Sequence, residues 1–139
     1  MKERSFLDTN ILIYTDDAAE PQKQTIAMRL FEAGWNSQNA VISTQVLQEY
    51  FSATTRKLHV PVTDARRKVE LLGRLDVVSI THADILHAID LHRLHALSFW
   101  DALIVQMAQQ SGCRVLYSED MQHGQKLGEL RIINPFKTT

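Results

Sequence analysis

Disulfide chemistry is closed to this chain, because Cys113 is its only cysteine in 139 residues. A lone thiol fits a reducing compartment. Proline (three) and glycine (five) are scarce. No flexible linker divides the sequence, so residues 1–139 read as a single domain. No apolar run approaches the roughly 20 residues of a membrane span. The opening MKERSFLDTN lacks the apolar segment of a secretory signal. A soluble, cytoplasmic protein is therefore expected, with no membrane partner. An excess of one charge is missing too: 15 basic and 16 acidic residues leave a formal net charge of -1. That excludes a general positive field for nucleic acid. Any such contact must come from a local basic patch or a bound cation.

What is present is ordinary globular material, 45% hydrophobic and 22% charged, arranged in alternating short and long segments. Short apolar runs at 5–7, 40–43, 76–80, 113–117 and 131–133 read as strands. Between them, apolar residues recur at helical spacing over 22–35, 44–57, 63–74, 81 to about 94, and 102–111, with a short apolar turn or helix at 11–14. Thr81 with Asp84, and Ser98 with Asp101, match the capping-box pattern at helix starts. Gly112 is placed to end the helix before it. Strands alternating with helices predict an α/β fold, a parallel sheet of about four or five strands with helices on both faces.

In such sheets, sites form where strands end at their carboxyl edge. Asp8 ends the first strand. Asp120 follows the strand at 113–117. Glu49 falls in the second turn of the helix after 40–43, and Asp101 in the first turn of the helix near Phe99. All four can meet in one crevice. Two carboxylates about 4 Å apart repel by roughly 4 kcal/mol at an effective dielectric of 20. Some must therefore be protonated, or a cation must lie among them. Oxygen donors without His or Cys select Mg²⁺ or Mn²⁺. Such a site suits phosphodiester hydrolysis. Each acid also has an ordinary reading: Asp101 as a capping residue, Asp8 as an N-cap, Glu49 as a solvated helix residue, Asp120 as a loop acid. Their joint placement is what points to chemistry.

Taken together, Phe6-Leu7-Asp8-Thr9-Asn10, an intervening Glu49, Phe99-Trp100-Asp101-Ala102 and Leu116-Tyr117-Ser118-Glu119-Asp120 resemble the PIN domain. They are especially similar to the VapC-type toxins of bacterial toxin–antitoxin pairs. The resemblance spans nearly the whole chain, in order. It implies a three-layer α/β/α sandwich and a Mg²⁺- or Mn²⁺-dependent endoribonuclease, with Asp8, Glu49, Asp101 and Asp120 as catalytic and metal-binding acids. It makes Asn10 and Ser118 supporting residues that orient the acids through hydrogen bonds, with Glu119 beside them. It further implies an RNA substrate, a cognate antitoxin and a homodimer.

Arg56, Lys57 and His59 form one basic cluster, and Arg66, Arg67 and Lys68 a second; Arg56 and Lys57 are the better candidates for RNA contact, since they end the helix carrying Glu49. Trp100 is either a core or interface residue or a stacking surface beside Asp101. Histidines 82, 87, 92 and 95 scatter around one helix and read as surface residues. The helices at 22–35 and 44–57 offer a candidate apolar groove for a partner helix. Two rivals stand beside the nuclease. One is a haloacid-dehalogenase-like phosphohydrolase using Asp8 as nucleophile, although Asn10 stands where that chemistry wants a second Asp. The other is a catalytically silent module of the same fold that binds RNA or protein.

Overall fold

The computed structural model describes residues 3–137; the outermost residues of the expected 1–139 domain lie outside the described part. Six strands are formed among the described residues: β1 (Ser5–Leu7), β2 (Ala40–Ser43), β3 (Asp76–Val78), β4 (Val115–Tyr117), β5 (Lys126–Leu127) and β6 (Leu130–Ile133). They lie in the order β3-β2-β1-β4-β6-β5 in one sheet. The five expected strands pair in parallel. Phe6 on central β1 faces Val41 on one side and Leu116 on the other. All three side chains are fully buried, which is why these strands appear as unbroken apolar runs rather than alternating ones.

Six helices flank the sheet among the described residues: α1 (Thr9–Tyr14), α2 (Pro21–Ser37), α3 (Thr44–Arg56), α4 (Val62–Leu72), α5 (His82–His95) and α6 (Phe99–Gln110). Both capping signals are real. Thr81 and Asp84 exchange the two bonds of a capping box at α5, and Ser98 Oγ accepts from Asp101 N–H at α6. From Ala102 to Ala108, α6 is buried at every position, so it is a core helix rather than an amphipathic one. After it, Gly112 takes φ +77°, a conformation open to glycine and costly for most other residues.

One element escapes the sequence pattern. β5 pairs antiparallel with β6 through the two-residue turn Gly128-Glu129. Gly128 has φ +63°, as a tight hairpin turn requires. Its strand is two residues long and half polar, so no periodicity marks it. The expected strands at 76–80 and 113–117 are also shorter than anticipated, because the ladder covers only Asp76–Val78 and Val115–Tyr117.

The sheet order reverses direction between β1 and β4. The chain leaves β1 toward β2 and β3, and later leaves β4 toward β6 on the other side. The carboxyl ends of these two adjacent strands therefore open a crevice that no crossover helix covers.

A close approach fixes how α2 sits on the sheet. A Cβ placed on Gly34 would come within 2.6 Å of the Ala40 Cβ at the start of β2. Replacing Gly34 with Ala raises helix propensity by about 1 kcal/mol, but overpacking costs about 1–3 kcal/mol. Gly34→Ala is expected to lower the midpoint of urea unfolding; a higher midpoint would show that α2 can move away from β2 freely.

Candidate active site

Asp8 follows β1 directly, and its backbone N–H still donates to Tyr117 O at the end of β4 (3.0 Å). Ser118 follows β4, and its N–H donates to Ile133 O on β6 (3.0 Å). The ladder thus delivers both residues to the crevice in fixed register. Ser118 Oγ donates to Asp8 Oδ2 (2.7 Å). Asp8 Oδ1 accepts from Thr9 N–H (2.7 Å), where Asp8 caps α1. Asp8 is 5% exposed.

Three other carboxylates share its cavity, a hollow of about 430 Å³ lined by Asp8, Glu49, Asp101 and Asp120 together with Asn10, Gln45 and Trp100. α3 supplies Glu49, the first turn of α6 supplies Asp101, and the loop after β4 supplies Asp120. Two of them are held by neighbours. Thr9 Oγ1 donates to Glu49 Oε1 (2.6 Å) and Asn10 Nδ2 to Asp120 Oδ2 (3.0 Å). Asn10 Oδ1 also accepts from Glu119 N–H (3.4 Å).

The electrostatics record the crowding. Removal from water pushes the Asp8 carboxyl up to about 7, against the opposing bonds from Ser118 and Thr9, and the charges of Asp101 and Asp120 add to the rise. The Asp101 carboxyl is raised as well, first by desolvation and then by Asp120 and Glu49, with Ser98 opposing. These acids therefore sense one another across the cavity. Even so, no three acidic, histidine or cysteine side chains among the described residues close on a single point. The donor set nonetheless fits a hard cation: it is all oxygen, with no thiol or imidazole lining the cavity. Mg²⁺ needs only one or two carboxylates directly, its other ligands being water and substrate.

Arg56 and Lys57, at the end of α3, line the same cavity. Trp100 lies on its wall with 61% of its surface exposed, so its place is the cavity mouth and not the core. The second basic cluster is elsewhere. Lys68 reaches Thr15 and Asp16, and Arg66 pairs with Glu70 on its own helix. Arg67 lines a separate hollow of about 560 Å³ that mixes both signs of charge. Histidines 82, 87, 92 and 95 are exposed on α5. An apolar groove lies between α3 and α4, at Leu47, Phe51 and Val69. Glu119 does not line the acid cavity; its carboxylate faces Tyr14 and Lys23 instead.

Two residues of the site carry no separate signal in the sequence reading. Thr9 is the middle residue of Asp8-Thr9-Asn10 and binds both Asp8 and Glu49. Gln45 stands one turn before Glu49 on α3 and donates to Glu49 Oε2 (3.4 Å) and to Trp100 O (3.3 Å). The i,i+4 spacing to Glu49 was its available mark.

A family model for the PIN domain matches residues 5–126. The chain belongs to the PIN-domain family. Its structural neighbours include a toxin–antitoxin complex from Klebsiella pneumoniae, at TM-score 0.73 and 21% identity over 96% of this chain and 99% of that one. They also include the sarcin–ricin-loop-cleaving toxin VapC20 of Mycobacterium tuberculosis, at TM-score 0.68 and 21% identity over 84% and 89%. A third is VapBC2 of Rickettsia felis bound to a DNA fragment from its promoter, at TM-score 0.67 and 16% identity over 92% and 96%. No curated protein matches the chain in sequence. The fold is thus that of the VapC toxins. No helix among the described residues is long and apolar enough to cross a membrane.

The raised Asp8 carboxyl makes stability depend on pH in a definite direction. Between the unfolded value near 4 and the folded value of about 7, the native state keeps a proton that the unfolded chain has lost. Stability is therefore fully present below about pH 4 and falls as pH rises to about 7, by up to about 1.4 kcal/mol per pH unit. Urea unfolding in EDTA at pH 5 and 7.5 is expected to show this loss, with Asp8→Asn much flatter. Equal pH slopes for both proteins would contradict the assignment.

Proposed function

We propose that this chain is a metal-dependent endoribonuclease of the VapC kind, the toxin of a pair silenced by its antitoxin. The observation that carries the reading is the convergence of four carboxylates from four separate elements in one cavity with Arg56, Lys57 and an exposed Trp100. Structural carboxylates disperse; a concentrated set at a strand-end crevice is what a cation site requires. Asp8 and Asp101 would hold Mg²⁺ or Mn²⁺ directly, with Glu49 and Asp120 completing the set. When bound, the ion would supply Lewis acidity toward a phosphate and a water of lowered pKa.

The chain's own groups do the rest. Ser118 and Thr9 fix the Asp8 carboxylate, and Thr9 and Gln45 fix Glu49. Asn10 fixes Asp120. Glu49 or Asp120 orients the attacking water and accepts its proton. Arg56 and Lys57 take backbone phosphates, which position RNA without reading its sequence. Trp100 offers a face on which a base can stack. Neighbours known as toxin–antitoxin assemblies support an antitoxin partner, and a second copy of the chain completes the expected assembly. The phosphoaspartyl alternative has nothing in its favour here: Asn10, two residues after Asp8, has its amide committed to Asp120.

The deciding test is total cellular RNA incubated with the purified, partner-free chain in Mg²⁺, Mn²⁺ or EDTA. Discrete products that require metal are expected, reduced at least about 100-fold in Asp8→Asn and Asp101→Asn, the scale of losing a charge-stabilising group. Cleavage that survives EDTA or both substitutions contradicts the reading. A folded chain that binds RNA but never cuts it points to the silent module. Arg56→Ala and Trp100→Ala should raise KM by about tenfold with kcat nearly unchanged, since lost uniform binding acts there; a fall in kcat alone would place these residues in the chemistry instead.

A further inference from the structure

Glu119 stands between two residues that serve the acid cavity, yet its side chain leaves in the opposite direction. Ser118 reaches Asp8 and Asp120 reaches Asn10, while the Glu119 carboxylate meets α1 and α2 on the far side. Tyr14 Oη donates to Glu119 Oε1 (2.6 Å), and Lys23 Nζ donates to Glu119 Oε2 (2.6 Å). Both carboxylate oxygens are thus taken by groups about a hundred residues away in the chain. Lys23 Nζ also lies 5.0 Å from the centre of the Tyr14 ring and 5.8 Å from that of Phe136. These two rings pack edge to face, 5.0 Å apart. An ammonium over two aromatic faces is held in place, not only attracted.

The segment so gripped is fixed largely by side chains, Ser118 on Asp8, Asn10 on Asp120 and Met121 in the core, with Glu119 anchored on the other side. After β4 the chain runs from Ser118 to Gln125 without helix or strand. Its ladder contacts are at the ends, Ser118 N–H to Ile133 O (3.0 Å) and Gly124 N–H to Ile132 O (2.8 Å). Between them the backbone bonds are long: Glu119 N–H donates to Asn10 Oδ1 (3.4 Å), Asp120 N–H to Ser118 Oγ (3.3 Å), and Glu119 O accepts from Asn134 Nδ2 (3.5 Å). The surface pairs Arg66–Glu70 and Arg114–Glu129 are far more exposed than Lys23–Glu119, and exposed pairs hold little.

We infer that Lys23 and Tyr14 are positioning residues: by gripping Glu119 from behind, they keep the 118–120 segment in the register that turns Ser118 toward Asp8 and Asp120 toward the cavity. Neither bonds to Asp8, Glu49, Asp101 or Asp120. The effect on turnover rests on the nuclease reading above; the effect on the segment does not.

The test uses Lys23→Met, Glu119→Gln, Tyr14→Phe and the conservative Lys23→Arg in the full chain. Two quantities are read: amide hydrogen exchange at Glu119 and Asp120 without metal, and kcat and KM on RNA. Lys23→Met and Glu119→Gln are expected to speed exchange and lower kcat about tenfold with KM within about twofold, the scale of losing an outer contact to a metal-site ligand. Tyr14→Phe keeps its ring and should lose less. Lys23→Arg should restore nearly wild-type values, which a packing role for Lys23 alone would not predict. Unchanged exchange in Lys23→Met and Glu119→Gln overturns the inference, as does faster exchange with unchanged kcat. If Lys23→Met fails to fold, Glu119→Gln and Tyr14→Phe carry the same test. A wild-type chain that cuts no RNA defeats the nuclease reading, and the exchange rates then decide the latch by themselves.

Discussion

A carboxylate held out of water at the end of the central strand is the constraint on which this structure turns. Asp8 is nearly inaccessible, and the charges of Asp101 and Asp120 act on it. Burying charge of one sign is costly unless it is neutralised or paired. Here no lysine or arginine side chain bonds to any of the four acids among the described residues. The supporting partners are hydroxyls, amides and backbone N–H groups: Ser118, Thr9, Asn10 and Gln45. Such partners orient carboxylates and leave their negative charge in place. On the function proposed above, a cation from outside the chain would supply the missing positive charge.

The fold makes that concentration possible by a topological route. β1 and β4 are neighbours, and their crossovers leave in opposite directions. Asp8 and Ser118 emerge side by side because the parallel register pairs Leu7 with Tyr117. α3 and α6 then bring Glu49 and Asp101 from elements more than forty residues apart in sequence. The crevice rests on a buried core: Phe6, Leu7, Ile11, Leu12, Ile104 and Leu116 are all essentially inaccessible. A site on such a base can hold its acids at fixed separations, which loops alone would not secure.

The sequence displayed the scaffold more fully than the site's supporting groups. Buried parallel strands such as β1, β2 and β4 leave continuous apolar runs, and β3 and β6 leave shorter ones, so all five were legible. Caps leave local signatures, so the starts of α5 and α6 were legible too. β5 was not, because two residues closed by Gly128-Glu129 carry no period. The four acids stood out through their positions relative to strand ends. Thr9 and Gln45 did not, since a hydroxyl or an amide gains meaning only from the side chain it faces. Glu119 shows the same limit: adjacency to Asp120 suggested a shared role, whereas neighbouring residues in this segment reach opposite sides. Of the readings Trp100 had in the sequence, its exposure at the cavity mouth removes the core one.

The proposed nuclease requires that the carboxylate cavity bind a cation. Calorimetric titration of the metal-free chain with Mn²⁺ at pH 6, in two buffers of different ionisation heat, addresses it without any RNA. Because the Asp8 carboxyl is raised to about 7, saturable binding is predicted to release about one proton, as ligands that must deprotonate require. The Asp8→Asn protein should bind far more weakly and release fewer protons. Saturable binding with no proton release, or binding that Asp8→Asn leaves intact, would place the ion away from Asp8; no saturable binding at all would contradict the account.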